Sequence, residues 1–366
     1  MKKWDAIVIG AGIIGLSLAI ELNKRGLRVL VVDKGEPGRE ASWAAGGMLA
    51  DFPLEMPLAL RELAAASARM YPEFVHELED ESRMKIDLRD QGTLLFGDPA
   101  EMRSLASSSH LPLVDASLSS QSLDDLEPAL FSEKLAGMTS LLLRERSVDP
   151  RHVTAAAIVA AKHRGIDFSS GDQVLEVEVG DGKAAGVRTN KTKFAADVVV
   201  NCAGAWSGQI HPGNFPTRPV KGQMLCVVMP QKEMVRHVIR TPQVYLIPRS
   251  DGRLLIGATQ EEAGFDKRTV PATIQKLRQA AIDIVPKLAE ARILEAWAGL
   301  RPGTPDGLPI LGATSTPGYF VATGHFRDGI LLAPVTARIM GRVIAGVGPE
   351  VDLRAFGAGR LRMNNS

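Results

Sequence analysis

Apolar residues near the start of the chain run unbroken, stop at glycines, and resume with helical spacing. Ala6 to Ile9 predicts a strand, Gly10-x-Gly12-x-x-Gly15 a turn into a helix running past Lys24, and Val29 to Val32 a second strand ending at Asp33. Further on, the period lengthens. Leu60, Leu63, Ala64, Ser67, Met70, Tyr71, Phe74, Val75 and Leu78 mark one face of a packing helix over 58–80. A strand is expected at 93–96, and the Ser-rich stretch 104–125 reads as surface connection with a short helix.

Asp149-Pro150 places an N-cap and a first-turn proline ahead of a helix that ends at Gly165. Short strands at 173–179 and 184–189 flank a Gly-Asp-Gly turn, which is a hairpin signal. The apolar run 196–201 then reads as a third strand of the first sheet, ending in Ala203-Gly204-Ala205-Trp206. Residues 219–260 are strand-rich. A helix over 271–285, a strand over 293–298, a Pro/Gly-rich turn from 299 and a final helix over 335–346 follow. No solenoid-length repeat occurs. This order implies two interleaved domains, the nucleotide domain being assembled from three pieces.

The glycine turn carries the first chemistry. Gly10 permits the tight bend, Gly12 lets backbone approach a pyrophosphate, and Gly15 lets helix and strand close up. The free N–H groups of the helix start, with its dipole, then face phosphate. Asp33, 18 residues past Gly15, is placed for a ribose 2′-hydroxyl. Only one such unit is present, so one dinucleotide is implied. Composition narrows the partners. Forty-three basic against forty-two acidic residues argue against a nucleic-acid surface, and no apolar run is long enough to span a membrane. Cys202 and Cys226 sit in apolar contexts without ligand spacing and read as buried thiols of a reducing, cytoplasmic protein; no metal site is expected.

Two further stretches favour FAD over a nicotinamide. One is the run of small residues from Ala41 to Leu49, which admits a flat ring. The other is Thr323-Gly324-His325 leading through Gly329-Ile330 into a helix, whose first amides face negative charge on a reduced flavin. With VIGAGIIG, REASWAAGGML, SVDPRHV, NCAGAWSG, RPVKGQ, VYLIPR, WAGLRPGTPDG and GHFRDGILLAP, the chain resembles, over nearly its whole length, the glycine oxidase branch of the D-amino acid oxidase family, flavoenzymes of thiamine thiazole synthesis. The resemblance implies an α/β composite: a glutathione-reductase-type Rossmann FAD domain (1–85, 145–215, 300–366) and a substrate domain (86–144, 216–299) on a large, mostly antiparallel sheet. It also implies non-covalent FAD, a small amino acid or amine substrate such as glycine, sarcosine or D-alanine, and hydride transfer to flavin N5. Molecular oxygen would be the acceptor, giving peroxide, and the protein would be a homo-oligomer, with a tetramer as the expected form.

Residue by residue, the resemblance places Gly10, Gly12, Ile13, Ile14 and Gly15 at the pyrophosphate and Asp33 and Lys34 at the ribose. Ala41, Ser42, Gly46, Gly47 and Met48 line the flavin, with Val174 at the adenine and Gly204 close by. His325, Phe326, Arg327, Asp328, Gly329, Ile330 and Leu331 wrap the ring, while Arg301, Tyr245 and Arg327 contact substrate. Each has a plainer reading. Arg301 can brace its turn, Arg327 can pair with Asp328, Tyr245 can be core, and His325 can shape the loop. Lys221 is left unassigned. Gln260 and Gln243 stand where an apolar pocket wall is expected, which leaves the exact amine open. A dehydrogenase passing electrons to a quinone or carrier, a non-redox binder on the same fold and a flavoprotein that modifies nucleic acid are the rival readings.

Overall fold

The strand Lys3–Ile9 lies between two parallel neighbours, Val29–Asp33 and Lys193–Asn201, in a computed structural model that describes residues 3–50, 56–107, 113–115 and 120–361. Part of the Ser-rich connection read from the sequence therefore lies outside the described residues. Asp167–Ser170 extends the parallel set beyond Val29–Asp33. Both faces of this sheet are covered, which is why its strands spell unbroken apolar runs. Ala6, Val8 and Val31 pack with the helix Ile13–Lys24, while Ile7, Ile9 and Val32 face the opposite core with Val199 and Tyr319.

Lys193–Asn201 has a divided edge. Its early residues pair antiparallel with the hairpin Val174–Gly180 and Lys183–Thr189, and its last three pair parallel with Tyr319–Thr323. The hairpin turn holds Asp181 and Gly182 at φ 49° and 74°, the left-handed geometry that a two-residue hairpin needs. Asp149 caps the helix Pro150–His163 by accepting from the Arg151 amide at 2.9 Å, as its sequence signal predicts.

The second sheet has eight strands in the order Arg292–Gly303, Arg218–Val228, Arg253–Gly257, Tyr245–Pro248, Val238–Arg240, Thr93–Gly97, Thr139–Leu143 and Leu113–Asp115. Every pairing is antiparallel except Val238–Arg240 with Thr93–Gly97. Side chains alternate between faces. Leu225, Val227, Leu254 and Ile256 pack under the helix Pro271–Ile284, whereas Met224, Cys226, Leu255 and Trp297 face Ala44 on the nucleotide side. The chain thus combines a mixed nucleotide sheet with a parallel centre and a large, mostly antiparallel sheet, each drawing strands from separated stretches of sequence. Both cysteines are buried and unbridged. Among the described residues no helix is long and apolar enough to cross a membrane.

One expectation is corrected. Arg301-Pro302-Gly303 reads as a turn in the sequence, but it is the end of the strand Arg292–Gly303. That strand is at the sheet edge and Pro302 stands opposite Pro219. A proline is tolerated there because an edge position need not donate to a ladder. The consequence is large: Arg301 is carried on rigid sheet, not on a loop.

Candidate active site

The nucleotide turn is a cradle shaped by missing side chains. A Cβ on Gly10 (φ 102°) would stand 2.5 Å from the Cys202 carbonyl oxygen, and one on Gly15 would overlap the Gly10 carbonyl. The amide of Ala11 donates to Asp33 Oδ2 at 2.7 Å and that of Gly35 to Asp33 Oδ1 at 2.8 Å, so the acid fixes the turn as well as facing its mouth. Ile13 N–H donates to Ser42 Oγ at 2.9 Å, tying the small-residue segment to the helix start. The helix N-terminus has no side-chain cap at Gly12. Lys34 extends its ammonium over the Trp206 ring, 3.1 Å from its centroid. Val174 begins the hairpin strand opposite Thr189, and the Gly204 carbonyl accepts from Thr323 Oγ1 at 3.1 Å.

A second cradle lies between Ala41–Leu49 and 325–331. Ala41 opens a short helix, Met48 starts a two-residue strand, and Gly47 (φ 80°) abuts the Val148 carbonyl so closely that any Cβ would collide. The 325–331 loop is held by its carbonyls: Tyr71 Oη donates to Ile330 O at 2.8 Å and Ser67 Oγ to Leu331 O at 2.6 Å. The helix Leu58–Ser82 therefore anchors this loop in addition to packing. Phe326 (φ 47°) donates its amide to Pro302 O at 3.1 Å, and Leu332 closes a turn on Asp328 O at 2.8 Å. The amides of Gly329, Ile330 and Leu331 donate to no backbone carbonyl among the described residues. Fixed carbonyls and N–H groups without a backbone partner make an electropositive wall on one side of the slot. These residues fit a flavin dinucleotide.

Burial sets the protonation here. His325 contacts Thr336 Oγ1 at 3.1 Å, and loss of hydration pushes its imidazole down to about 3, so it stays neutral. Asp328 is half-buried. Desolvation pushes its carboxyl up to about 7, against the pull of Arg327 and Arg240.

Across the slot, the second sheet presents Tyr245 and Arg301. The Arg301 guanidinium lies on Gly222, where a Cβ would overlap it, and donates Nη1–H to Thr259 O at 3.1 Å. The Tyr245 ring lies on Gly257, 2.7 Å from where a Cβ would be, and touches the Gly46 region. Burial raises the Tyr245 hydroxyl above its ordinary value, while the Arg301 and Arg327 charges pull it down. It remains a neutral donor. The Arg327 guanidinium, on the opposing loop, donates to Gln260 Oε1. The predicted trio Arg301, Tyr245 and Arg327 is thus brought to one place, and the exposed Gln260 joins it. Gln243 is exposed in the turn before Tyr245.

Other participants carry no signal that a reading by residue type detects. Gly222 and Gly257 are floors for an arginine and a tyrosine, which only cross-strand register reveals. Arg249, at the end of VYLIPR, is 1% exposed and donates Nη2–H to Gly46 O at 2.6 Å, holding the small-residue segment from below. Lys221 is buried 3.9 Å from Glu261, so it braces that strand end. Burial pushes the Glu261 carboxyl up, but Thr259, Gln223, Lys221 and Arg301 together hold it below its ordinary value.

Comparison with known proteins gives concordant findings. The family model described as FAD dependent oxidoreductase (DAO) matches residues 5–343. The glycine oxidase of Pseudomonas aeruginosa is 32% identical, over 97% of this chain and 99% of its own. The bifunctional protein ThiO/ThiG of Synechocystis sp. is 34% identical over 98% of this chain but 54% of its own length, so the chain spans about half of that relative. The crystal structure of glycine oxidase from Geobacillus kaustophilus superposes with a TM-score of 0.89 at 29% identity, covering 98% of this chain and 99% of that one.

Proposed function

Because the chain belongs to the DAO family of FAD-dependent oxidoreductases, we propose that it oxidises glycine and small amines such as sarcosine and small D-amino acids. The products are an imine, hydrolysed to oxo acid and ammonia (methylamine in the case of sarcosine), and hydrogen peroxide from oxygen, in support of thiamine thiazole synthesis. A homo-oligomer, a tetramer as working form, in the cytoplasm completes the proposal. The observation that carries it is Arg301 seated on Gly222 beside Tyr245, facing the slot.

The residues assign themselves roles by their chemistry. The Arg301 fork grips a carboxylate at two oxygens, fixing its position and its plane. Tyr245, kept neutral, donates its hydroxyl to the same group. The sheet holds both rigidly, so the α-carbon sits at a set depth in the slot. FAD, when bound, supplies the hydride acceptor at N5. Gly10, Gly12, Ile13, Ile14, Gly15, Asp33 and Ser42 would hold its dinucleotide half, and Gly46, Gly47, Met48 and 325–331 its ring. No side-chain base is required for the C–H step when the amine arrives neutral. His325, neutral and turned to Thr336, has a shaping role.

Arg301→Ala tests the clamp. Losing one partner of a buried, hydrogen-bonded charge pair costs about 3–5 kcal/mol, so KM for glycine is expected to rise roughly two to three and a half orders of magnitude while FAD stays bound. Steady-state kinetics with flavin absorbance read both. An unaltered KM removes Arg301 from the site.

A further inference from the structure

Arg249 is a buried cation that stability alone does not explain. It is 1% exposed, and burial pushes its guanidinium down only to about 10, so it keeps its charge. Nη2–H donates to Gly46 O at 2.6 Å, but Nε and Nη1 have no hydrogen-bond partner among the described residues. Asp149 stands 4.0 Å from Nε and is already bonded by Arg253 at 2.9 Å. On these terms a guanidinium stabilises a fold no better than an apolar side chain of similar size. What Arg249 holds is the better reason for it.

It holds one of three carbonyls taken up by side chains within four residues. Trp43 O accepts from Arg151 Nε at 3.3 Å, Ala44 O from Trp297 Nε1 at 3.0 Å, and Gly46 O from Arg249. In a planar trans peptide the C=O and the next N–H point opposite ways. Trp297 lies in the second sheet and Arg249 directly follows one of its strands. Carbonyls turned to them leave the Ala45 and Gly47 amides turned away from that sheet. Neither amide donates to a backbone carbonyl among the described residues. Both belong to the small-residue segment assigned above to the flavin ring. The carbonyl of Gly47 accepts from the Val148 amide at 2.8 Å, so the peptide beyond it is pinned independently. The 46–47 peptide is set by Arg249.

We propose that Arg249 is a positioning residue for the redox step: acting through the Gly46 carbonyl, it aims the Gly47 amide, and Trp297 likewise the Ala45 amide, at the flavin, which makes the ring a better electron acceptor. Donors already aimed at a site of growing negative charge favour the reduced form over the oxidised one. This deepens the flavoenzyme reading above and rests on it.

The test uses holoenzyme, reduced slowly beside a reference dye to read the two-electron potential of its flavin. In Arg249→Met the Gly10–Gly15 turn still receives the dinucleotide half, so full flavin content is expected. One donor turned off line disfavours the reduced form roughly tenfold, which lowers the potential by about 30 mV. Trp297→Phe keeps an aromatic ring and removes the N–H without changing charge. Its potential is expected to fall in the same direction, and it decides the matter alone if Arg249→Met does not fold. Arg253→Met removes a positive charge beside Asp149 but no donor to the three carbonyls, so its potential should match the wild type. An unchanged potential in yellow Arg249→Met or Trp297→Phe, whatever the melting temperature, would leave these side chains merely structural and overturn the proposal. A drop in Arg253→Met equal to that in Arg249→Met would also overturn it, showing an effect of charge with no part for an aimed amide. The amine oxidase reading would survive either result, because bleaching of the wild-type flavin by glycine tests it separately. A wild type that holds no flavin would remove both.

Discussion

The two walls of the slot are made of different material. The nucleotide side is built from backbone: the Gly10–Gly15 turn, the helix start at Ile13, and a 325–331 loop whose carbonyls are held by Ser67 and Tyr71. The substrate side is built from long side chains, Arg301 and Tyr245, laid across glycines of neighbouring strands. Backbone sites present N–H dipoles at fixed spacing and suit a large ligand that every family member shares. Side-chain sites are retuned by one substitution. The division predicts that damage to the first wall costs the cofactor, and damage to the second costs only the substrate.

The largest expected effect is on the first wall. Gly15→Val puts a branched side chain where even a Cβ overlaps the Gly10 carbonyl, with strand residue Val8 beside it. Backbone must move, and overpacking of this kind costs about 1–3 kcal/mol or more. The turn that receives the pyrophosphate opens, so the purified protein is expected to be colourless and to melt several degrees lower. A yellow protein with full flavin stoichiometry would break the comparison at its root.

A smaller and more selective effect is expected from Gly222→Ala. The added methyl overlaps the far end of the Arg301 side chain, not backbone, so the guanidinium swings aside and the sheet survives. FAD content should match the wild type and the melting temperature should hold within about 2 °C. KM for glycine should rise about tenfold, for a clamp displaced but not deleted. Loss of flavin in this variant would show that the two walls are not separable.

The same division explains what the sequence discloses. Backbone chemistry is local: a strand, three glycines and an acid within Ala6 to Asp33 are legible because their geometry depends on spacing along one stretch. The Asp149-Pro150 helix start and the Gly-Asp-Gly hairpin are legible for the same reason. Side-chain chemistry depends on register between strands far apart in sequence. That Gly222 stands opposite Gly299, two residues from Arg301, follows from the pairing of Arg218–Val228 with Arg292–Gly303 and from no local pattern. The Pro302-Gly303 pair gives a turn signal that an edge strand overrides. Ser67 and Tyr71 are readable as one face of a helix, but their hydrogen bonds to 330 and 331 are not. Gln260 stands out as a departure, and only the fold supplies its partner 67 residues away.

Asp328 lies where the two walls meet, and its titration offers the finest test. Burial pushes its carboxyl from an ordinary 3.8 up to about 7, with Arg327 and Arg240 opposing. The sign follows from proton counting. Between about pH 4 and 7 the unfolded chain has lost this proton and the folded chain keeps it, so folding becomes less favourable as pH rises through that window and the penalty levels off above it. Asp328→Asn removes the titration and keeps the shape. The melting temperature of the variant without cofactor, minus that of the wild type, should be near zero at pH 4, grow to a few degrees by pH 7, and stay flat to pH 8. His325 is present in both proteins, so its own pH-dependent contribution cancels from the difference. A gap that does not change between pH 4 and 7 would mean that Arg327 and Arg240 outweigh burial and keep Asp328 ionised. The loop would then carry a negative charge against its own row of amides, and the backbone wall would be less electropositive than its geometry implies.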